Sequence, residues 1–269
     1  MPELPEVETT KRGIAPWLLN QRIEKIIVRQ PKLRWPVEDA IQTLTGQFIT
    51  QIERRAKYIL ISTATGTAIW HLGMSGSLRL VDGVEEPAKH DHIDWHISNG
   101  KILRYHDPRR FGALLFVEPN NECPQLSHLG PEPLSDVFNA DYLYKLSRNR
   151  TQAIKTFIMN AKIVVGVGNI YANESLYFAG IRPQTPAGKI SKLRFQRLVD
   201  EIKSVLAAAI EQGGTTLKDF VGGDGKPGYF AHQLAVYGRA NQPCLKCETT
   251  LKELRLGQRS TVFCPKCQL

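Results

Sequence analysis

Four cysteines near the C-terminus restrict the folds open to this chain more than any other feature. Cys244-x2-Cys247 and Cys264-x2-Cys267 form two knuckles separated by sixteen residues, a spacing that offers four thiolates to one tetrahedral zinc ion. A pair of disulfides is the competing reading. It fits poorly, because no basic-then-apolar leader opens the chain and Cys123 would be left over. A site closed by four cysteines keeps no position for substrate, so one structural zinc ion is expected to staple a small hairpin and perform no chemistry. Lys252, Arg255, Gln258 and Arg259 lie between the knuckles. The metal therefore holds up a basic loop.

Charge points to the partner. The 269 residues carry a net charge of +9, and it is unevenly placed. Residues 1–149 contain 18 Lys/Arg and 18 Asp/Glu, whereas residues 150–269 contain 17 and 8. A basic second half suggests nucleic acid held mainly through phosphates. No apolar run approaches the ~20 residues that cross a bilayer, so a soluble, cytoplasmic protein that does not engage a membrane is expected. The length allows more than one domain and a sizeable core.

Chemistry is written at the other end, in Met1-Pro2-Glu3-Leu4-Pro5-Glu6-Val7-Glu8. Removal of the initiator methionine would leave Pro2 with a free secondary amine. Such an amine attacks an anomeric carbon to give an iminium that already carries its charge. With a reference pKa of roughly 7.7–8.0, an α-amino group is partly unprotonated near neutral pH, unlike a lysine near 10.4. Glu3 and Glu6, three apart, put two carboxylates beside it as candidate acid/base groups. The plainer alternative is a helix start, with proline and acids in the first turn.

Between the two ends the pattern is β-rich and then helical. A first helix is expected from Pro5 to Arg12, stopping at Gly13. Strands are expected at 22–28, 48–52, 58–62, 68–71, 77–81, 93–97, 102–105 and 111–117, with a helix at 36–45 interrupting them. Asn99-Gly100 signals a hairpin with a two-residue turn. Beyond Gly130-Pro131-Glu132-Pro133, residues 138–149 and 151–160 fit helices, and 191–211 is a long amphipathic one ended by Gly213-Gly214. Four glycines within 222–228 suit a mobile loop over a ligand.

These residues carry a resemblance. PELPEVE at the N-terminus, HLGMSG at 71–76, DPRRFG at 107–112, VVGVGNIYANESL at 164–176, GGTTLKDF at 213–220 and the four-cysteine hairpin together resemble the bacterial formamidopyrimidine-DNA glycosylase family, in that family's order and over the whole chain. The resemblance implies an α+β multidomain fold: a β-sandwich with a leading helix over residues 1–131, a helix-two-turn-helix domain over 132–238 and a zinc-finger β-hairpin over 239–269. It also implies a monomer that takes damaged double-stranded DNA between its halves. The family excises oxidised purines, 8-oxoguanine and formamidopyrimidines, and then cuts the abasic strand.

Site residues follow by resemblance. Pro2 would be the nucleophile, Glu3 its acid/base partner, Lys57 a catalytic lysine, and Arg259 the arginine associated with the final elimination. Attack at C1′ requires an everted nucleotide, and Met74, Arg109 and Phe111 match the residues that fill the void. His90, Arg150, Lys155, Asn169 and the turn Gly166-Val167-Gly168 would clamp phosphates. Glu174 reads either as an internal partner of the N-terminal amine or as a core carboxylate. His106 and Cys123 attract no role. Three other readings compete: an endonuclease VIII-type oxidised-pyrimidine glycosylase, an N-terminal-proline tautomerase and a non-catalytic zinc-finger DNA binder.

Overall fold

The computed structural model describes residues 2–215 and 233–269; the glycine-rich stretch 222–228 lies outside them. The chain divides into two compact units, residues 1–127 with 212–229, and residues 128–211 with 230–269.

The first unit opens with helix α1 (Leu4–Leu18). It runs past Gly13 and through Pro16 because its buried stripe continues: Leu4, Val7, Thr10, Ile14 and Leu18, three or four apart, are at most 1% exposed. Burying that stripe outweighs the ~1 kcal/mol cost of a mid-helix glycine. Eight strands follow: β1 (Ile23–Val28), β2 (Gln51–Arg55), β3 (Tyr58–Thr63), β4 (Gly66–His71), β5 (Ser77–Asp82), β6 (Asp91–Ile97), β7 (Lys101–His106) and β8 (Ala113–Val117). They form two four-stranded antiparallel sheets, ordered β1-β6-β7-β5 and β2-β3-β4-β8. Trp70 of one sheet meets Trp95 and Tyr105 of the other, at ring-centroid distances of 5.7 and 5.2 Å, inside one apolar core. The unit is the expected β-sandwich.

Three local expectations are corrected. The strand expected at 48–52 begins at Gln51, because the Ala56-Lys57 turn fixes the register Arg55↔Tyr58 through Gln51↔Ser62. Phe48 is left 59% exposed. The helix expected at 36–45 is a 3-10 turn at Asp39–Leu44, whose two buried residues, Ile41 and Leu44, are three apart and suit that tighter winding. At the Asn99-Gly100 hairpin only Gly100 is left-handed, at φ 82°, and Gly100 donates its N–H to Ile97, so the loop has three residues. A short helix, α2 (Pro124–Ser127), closes this part of the chain.

The second unit contains α3 (Ala140–Ser147), α4 (Ile154–Ile158), α5 (Asn169–Phe178) and α6 (Lys192–Glu211). The Asn139 side chain caps α3 by accepting from the Tyr142 N–H at 3.0 Å. Of the helix expected at 151–160, residues 151–153 stay outside α4, since Ala153 bridges Pro186. Seven of the eight residues of α5 from Ile170 to Tyr177 are at most 1% exposed, and Ile170 is only 2% exposed. It is the central helix of the unit. The chain ends in a hairpin of β9 (Lys252–Leu256) and β10 (Arg259–Phe263). Its two-residue turn, Gly257-Gln258, has positive φ at both positions, 54° and 62°, which matches the twist of paired strands. Among the described residues no helix is long and apolar enough to cross a membrane.

Candidate active site and zinc centre

In the first unit, Pro2 is buried at the foot of α1 and Glu3 is 2% exposed. Glu3 and Glu6 form a reciprocal capping box, with the Glu3 N–H donating to Glu6 Oε2 at 2.8 Å. The other Glu6 oxygen accepts from the Thr215 N–H at 2.8 Å. Glu6 thus ties the N-terminal segment to Thr215, just after Gly213-Gly214. Glu8 receives Arg54 Nε at 3.0 Å as well as Lys11 and Arg12, both at 2.9 Å. Arg54 also donates to the Ala56 carbonyl at 2.9 Å, which fastens the turn bearing Lys57 to α1. Ala56 takes the left-handed conformation there, at φ 55°.

Met74 and Phe111 stand on two touching turns, 40% and 46% exposed, unusual for such large apolar side chains. A Cβ on Gly73, at φ 67°, would lie 2.4 Å from the backbone of Phe111 and Gly112, so only glycine allows this approach. The exposed Arg109 guanidinium lies 4.8 Å from the centre of the Phe111 ring. Arg34, His71, Gly73, Met74 and Phe111 line a cavity of about 280 Å³. Burial, with Arg34 and Lys57 nearby, lowers the His71 pKa to about 4, so its ring is neutral at pH 7. His90 is half-buried and edge-on to His106 and His92, at centroid distances of 5.9 and 6.3 Å. His106 in turn bonds Asp91 at 2.8 Å. It supports the His90 ring, a place invisible in a strand histidine read alone.

In the second unit, the Sγ atoms of Cys244, Cys247, Cys264 and Cys267 lie within 4.8 Å of one another. Three of their separations are 3.9, 3.5 and 3.4 Å. Tetrahedral Zn–S bonds of about 2.3 Å require sulfurs roughly 3.8 Å apart, so this cluster fits one structural zinc ion. Tyr177 supports it, its hydroxyl 3.3 Å from Cys244 Sγ. Arg259 is exposed at the start of β10, and the residues just after it are pinned. Lys155 Nζ donates to the Ser260 carbonyl at 2.8 Å and to Thr261 Oγ1 at 2.7 Å. Asn173 Oδ1 accepts from the Val262 N–H at 3.0 Å.

Lys155 is fully buried. The expectation that it clamps phosphate is corrected: its ammonium is an internal strut between α4 and the hairpin. The cue lay in Ile154-Lys155-Thr156-Phe157-Ile158, a lone cation in an apolar helix. Arg150 is exposed, whereas the nearby Arg148 is engaged with the Tyr144 ring and the Ile190 carbonyl. Asn169, the first residue of α5, is half-buried and follows Gly166 at φ 81°. Glu174 accepts the N–H groups of Ala235, Val236 and Tyr237 at 2.7, 3.0 and 2.8 Å. Burial pushes its pKa up, and those amides oppose the shift. This assigns it to the core-carboxylate reading, with three backbone amides as its hydrogen-bond partners and the Arg239 charge also favouring its ionised form. Cys123 is a buried free thiol beside Gln125.

Family models match nearly all of this architecture: the formamidopyrimidine-DNA glycosylase N-terminal domain over residues 1–114, the H2TH domain of the same enzyme over 129–221, and the zinc finger found in FPG and IleRS over 241–269. Proteins named formamidopyrimidine-DNA glycosylase from Pseudomonas aeruginosa and Photobacterium profundum are each 58% identical, with full coverage of both chains. The MutM (Fpg) structure from Thermus thermophilus has a TM-score of 0.89 at 36% identity, covering 99% of this chain and 98% of that one. Lactococcus lactis Fpg in complex with DNA containing an abasic site gives 0.92 at 30% identity, covering 99% of both chains. By domain content, full-length identity and fold, this chain is a DNA glycosylase of the formamidopyrimidine-DNA glycosylase family.

Proposed function

We propose that the chain repairs oxidised double-stranded DNA, excising 8-oxoguanine and formamidopyrimidines and then cutting the strand at the abasic site. The observation that carries this reading furthest is the N-terminus, where Pro2 is buried at the foot of a helix locked by the Glu3–Glu6 capping box. A nucleophile held in place lowers the entropic part of the barrier. Once Met1 is removed, the Pro2 nitrogen attacks C1′, the glycosidic bond breaks with its electrons passing to the base, and opening of the sugar ring gives an iminium. That iminium acidifies C2′; loss of a C2′ proton expels the 3′-phosphate, and a second elimination expels the 5′-phosphate. Glu3 is the acid/base group. Lys57 and Arg259 supply positive charge to the sugar and its phosphates, Arg259 serving the last elimination.

Met74, Arg109 and Phe111 fill the space left by the everted nucleotide, and His90, Arg150 and Asn169 contact phosphates. The enzyme acts as a monomer in the cytoplasm, with functional domains bounded at residues 131 and 238. Lactococcus lactis Fpg structures contain DNA with an abasic site or Fapy-dG, which supports the substrate class and favours it over the pyrimidine, tautomerase and non-catalytic readings. Pro2→Gly tests the mechanism. Excision should fall by orders of magnitude while salt-dependent DNA affinity stays within about twofold; unchanged excision would remove Pro2 from the reaction.

A further inference from the structure

The Met74 turn, the Arg109–Phe111 turn and the segment bearing His90 meet at one buried residue, the two turns at its side chain and the His90 segment at its backbone. Asp107 is 0% exposed, and four donors converge on its carboxyl group. Ser75, next to Met74, donates its hydroxyl to Oδ1 at 2.8 Å. The Arg109 N–H reaches the same oxygen at 3.3 Å. Oδ2 accepts from the Gly112 N–H, next to Phe111, at 2.9 Å and from the Tyr105 hydroxyl at 3.0 Å. The backbone of Asp107 reaches further. Its N–H donates to the His90 carbonyl at 3.0 Å, and its own carbonyl accepts from the Arg110 N–H at 3.2 Å and from His92 Nε2 at 2.8 Å.

Packing leaves little room for another arrangement. A Cβ on Gly112 would lie 1.7 Å from the Tyr105 hydroxyl, and one on Gly76 would lie 2.7 Å from it. Arg110 is held left-handed, at φ 55°, which a non-glycine residue adopts only under local constraint. Two sequence-distant loops, each presenting a wedge, are therefore coupled through one pair of oxygens. We propose that Asp107 is a positioning residue that sets Met74, Arg109, Phe111 and His90 as a single rigid body, so that wedge insertion and phosphate contact occur in register. The proposal rests on the reading of those four residues given above.

The coupling predicts a split between substrates. Expelling a base from an intact duplex requires breaking its stack and filling the hole, whereas a preformed abasic site has no base to expel. Asp107→Asn keeps the shape but turns an amino group toward donors, leaving the Gly112 N–H or the Ser75 hydroxyl unsatisfied. Single-turnover excision of 8-oxoguanine from a duplex should fall on the order of 30-fold, and strand cleavage at a preformed abasic site by less than about 3-fold. In a Phe111→Ala background the same substitution should cost clearly less, because both act through one wedge.

Equal loss on the two substrates, or full additivity with Phe111→Ala, would overturn the proposal and leave Asp107 a general stabiliser. Should Asp107→Asn fail to fold, Ser75→Ala, which removes only one of the four bonds, must show the same split at roughly 3-fold; equal activity on both substrates would then overturn it. If Met74→Ala and Phe111→Ala themselves leave duplex excision unchanged, the wedge assignment fails, an outcome distinct from failure of the coupling.

Discussion

Replacing Lys155 with methionine separates two roles for a lysine in a DNA-binding unit. The side chain is fully buried and donates two bonds of 2.7 and 2.8 Å to the first residues after Arg259. Methionine fills nearly the same volume, so the loss is electrostatic rather than a cavity. Each bond from a charged donor contributes ~1.5–3 kcal/mol, and relief of the desolvation cost of a buried ammonium returns part of that sum. A net loss of about 2–3 kcal/mol follows, or roughly 5–10 °C in the unfolding of this unit. Calorimetry on the zinc-loaded protein, with the rate of zinc release to a chelator, should show both changes. DNA affinity should weaken through the mispositioned hairpin, but the slope of log K against log salt should hold, since no phosphate contact is lost. A slope reduced by about 1 with unchanged zinc retention would refute the strut and restore the phosphate clamp.

Cys244→Ser should lower zinc stoichiometry and sharply weaken DNA binding, because metal binding supplies the folding energy of such hairpins; atomic absorption and a binding titration read both, and retained zinc with wild-type affinity would contradict it. For His71 the sign is fixed by its lowered pKa, about 4 in the folded chain against ~6.5 unfolded. The unfolded state takes up the proton first, so this contribution is complete above about pH 6.5 and is lost as the pH falls toward 4, by at most about 3 kcal/mol. Denaturant titrations across that range should show the loss in the wild type and its absence in His71→Asn.

What could be read from the sequence, and what could not, follows from the range of the interactions involved. The zinc hairpin was legible because metal-ligand spacing is a local constraint, and the strands because alternation marks a half-buried strand; their arrangement as a sandwich came only from the family resemblance. The end of α1 was misplaced because Gly13 and Pro16 are local stop signals, whereas Ile14 and Leu18 are held by a core assembled from distant strands. Lys155 was misassigned for the same reason: its charge is local information, its burial is not. Asp107 and His106 carry no role in the sequence because their partners, Ser75 and His90, come from other segments of the chain. Motif order placed Met74, Arg109 and Phe111 in one family pattern, but only the fold puts their turns in contact through Gly73 and Asp107.

Every later step of the reaction depends on the amine of Pro2 forming the covalent bond to the damaged nucleoside. A duplex with a single 8-oxoguanine opposite cytosine, incubated with the enzyme and borohydride, would expose that bond, since the reductant fixes only an imine or iminium. The expected product is a protein–DNA adduct whose modified peptide begins at Pro2. An adduct mapped to a lysine, or free abasic product with no adduct, would contradict it.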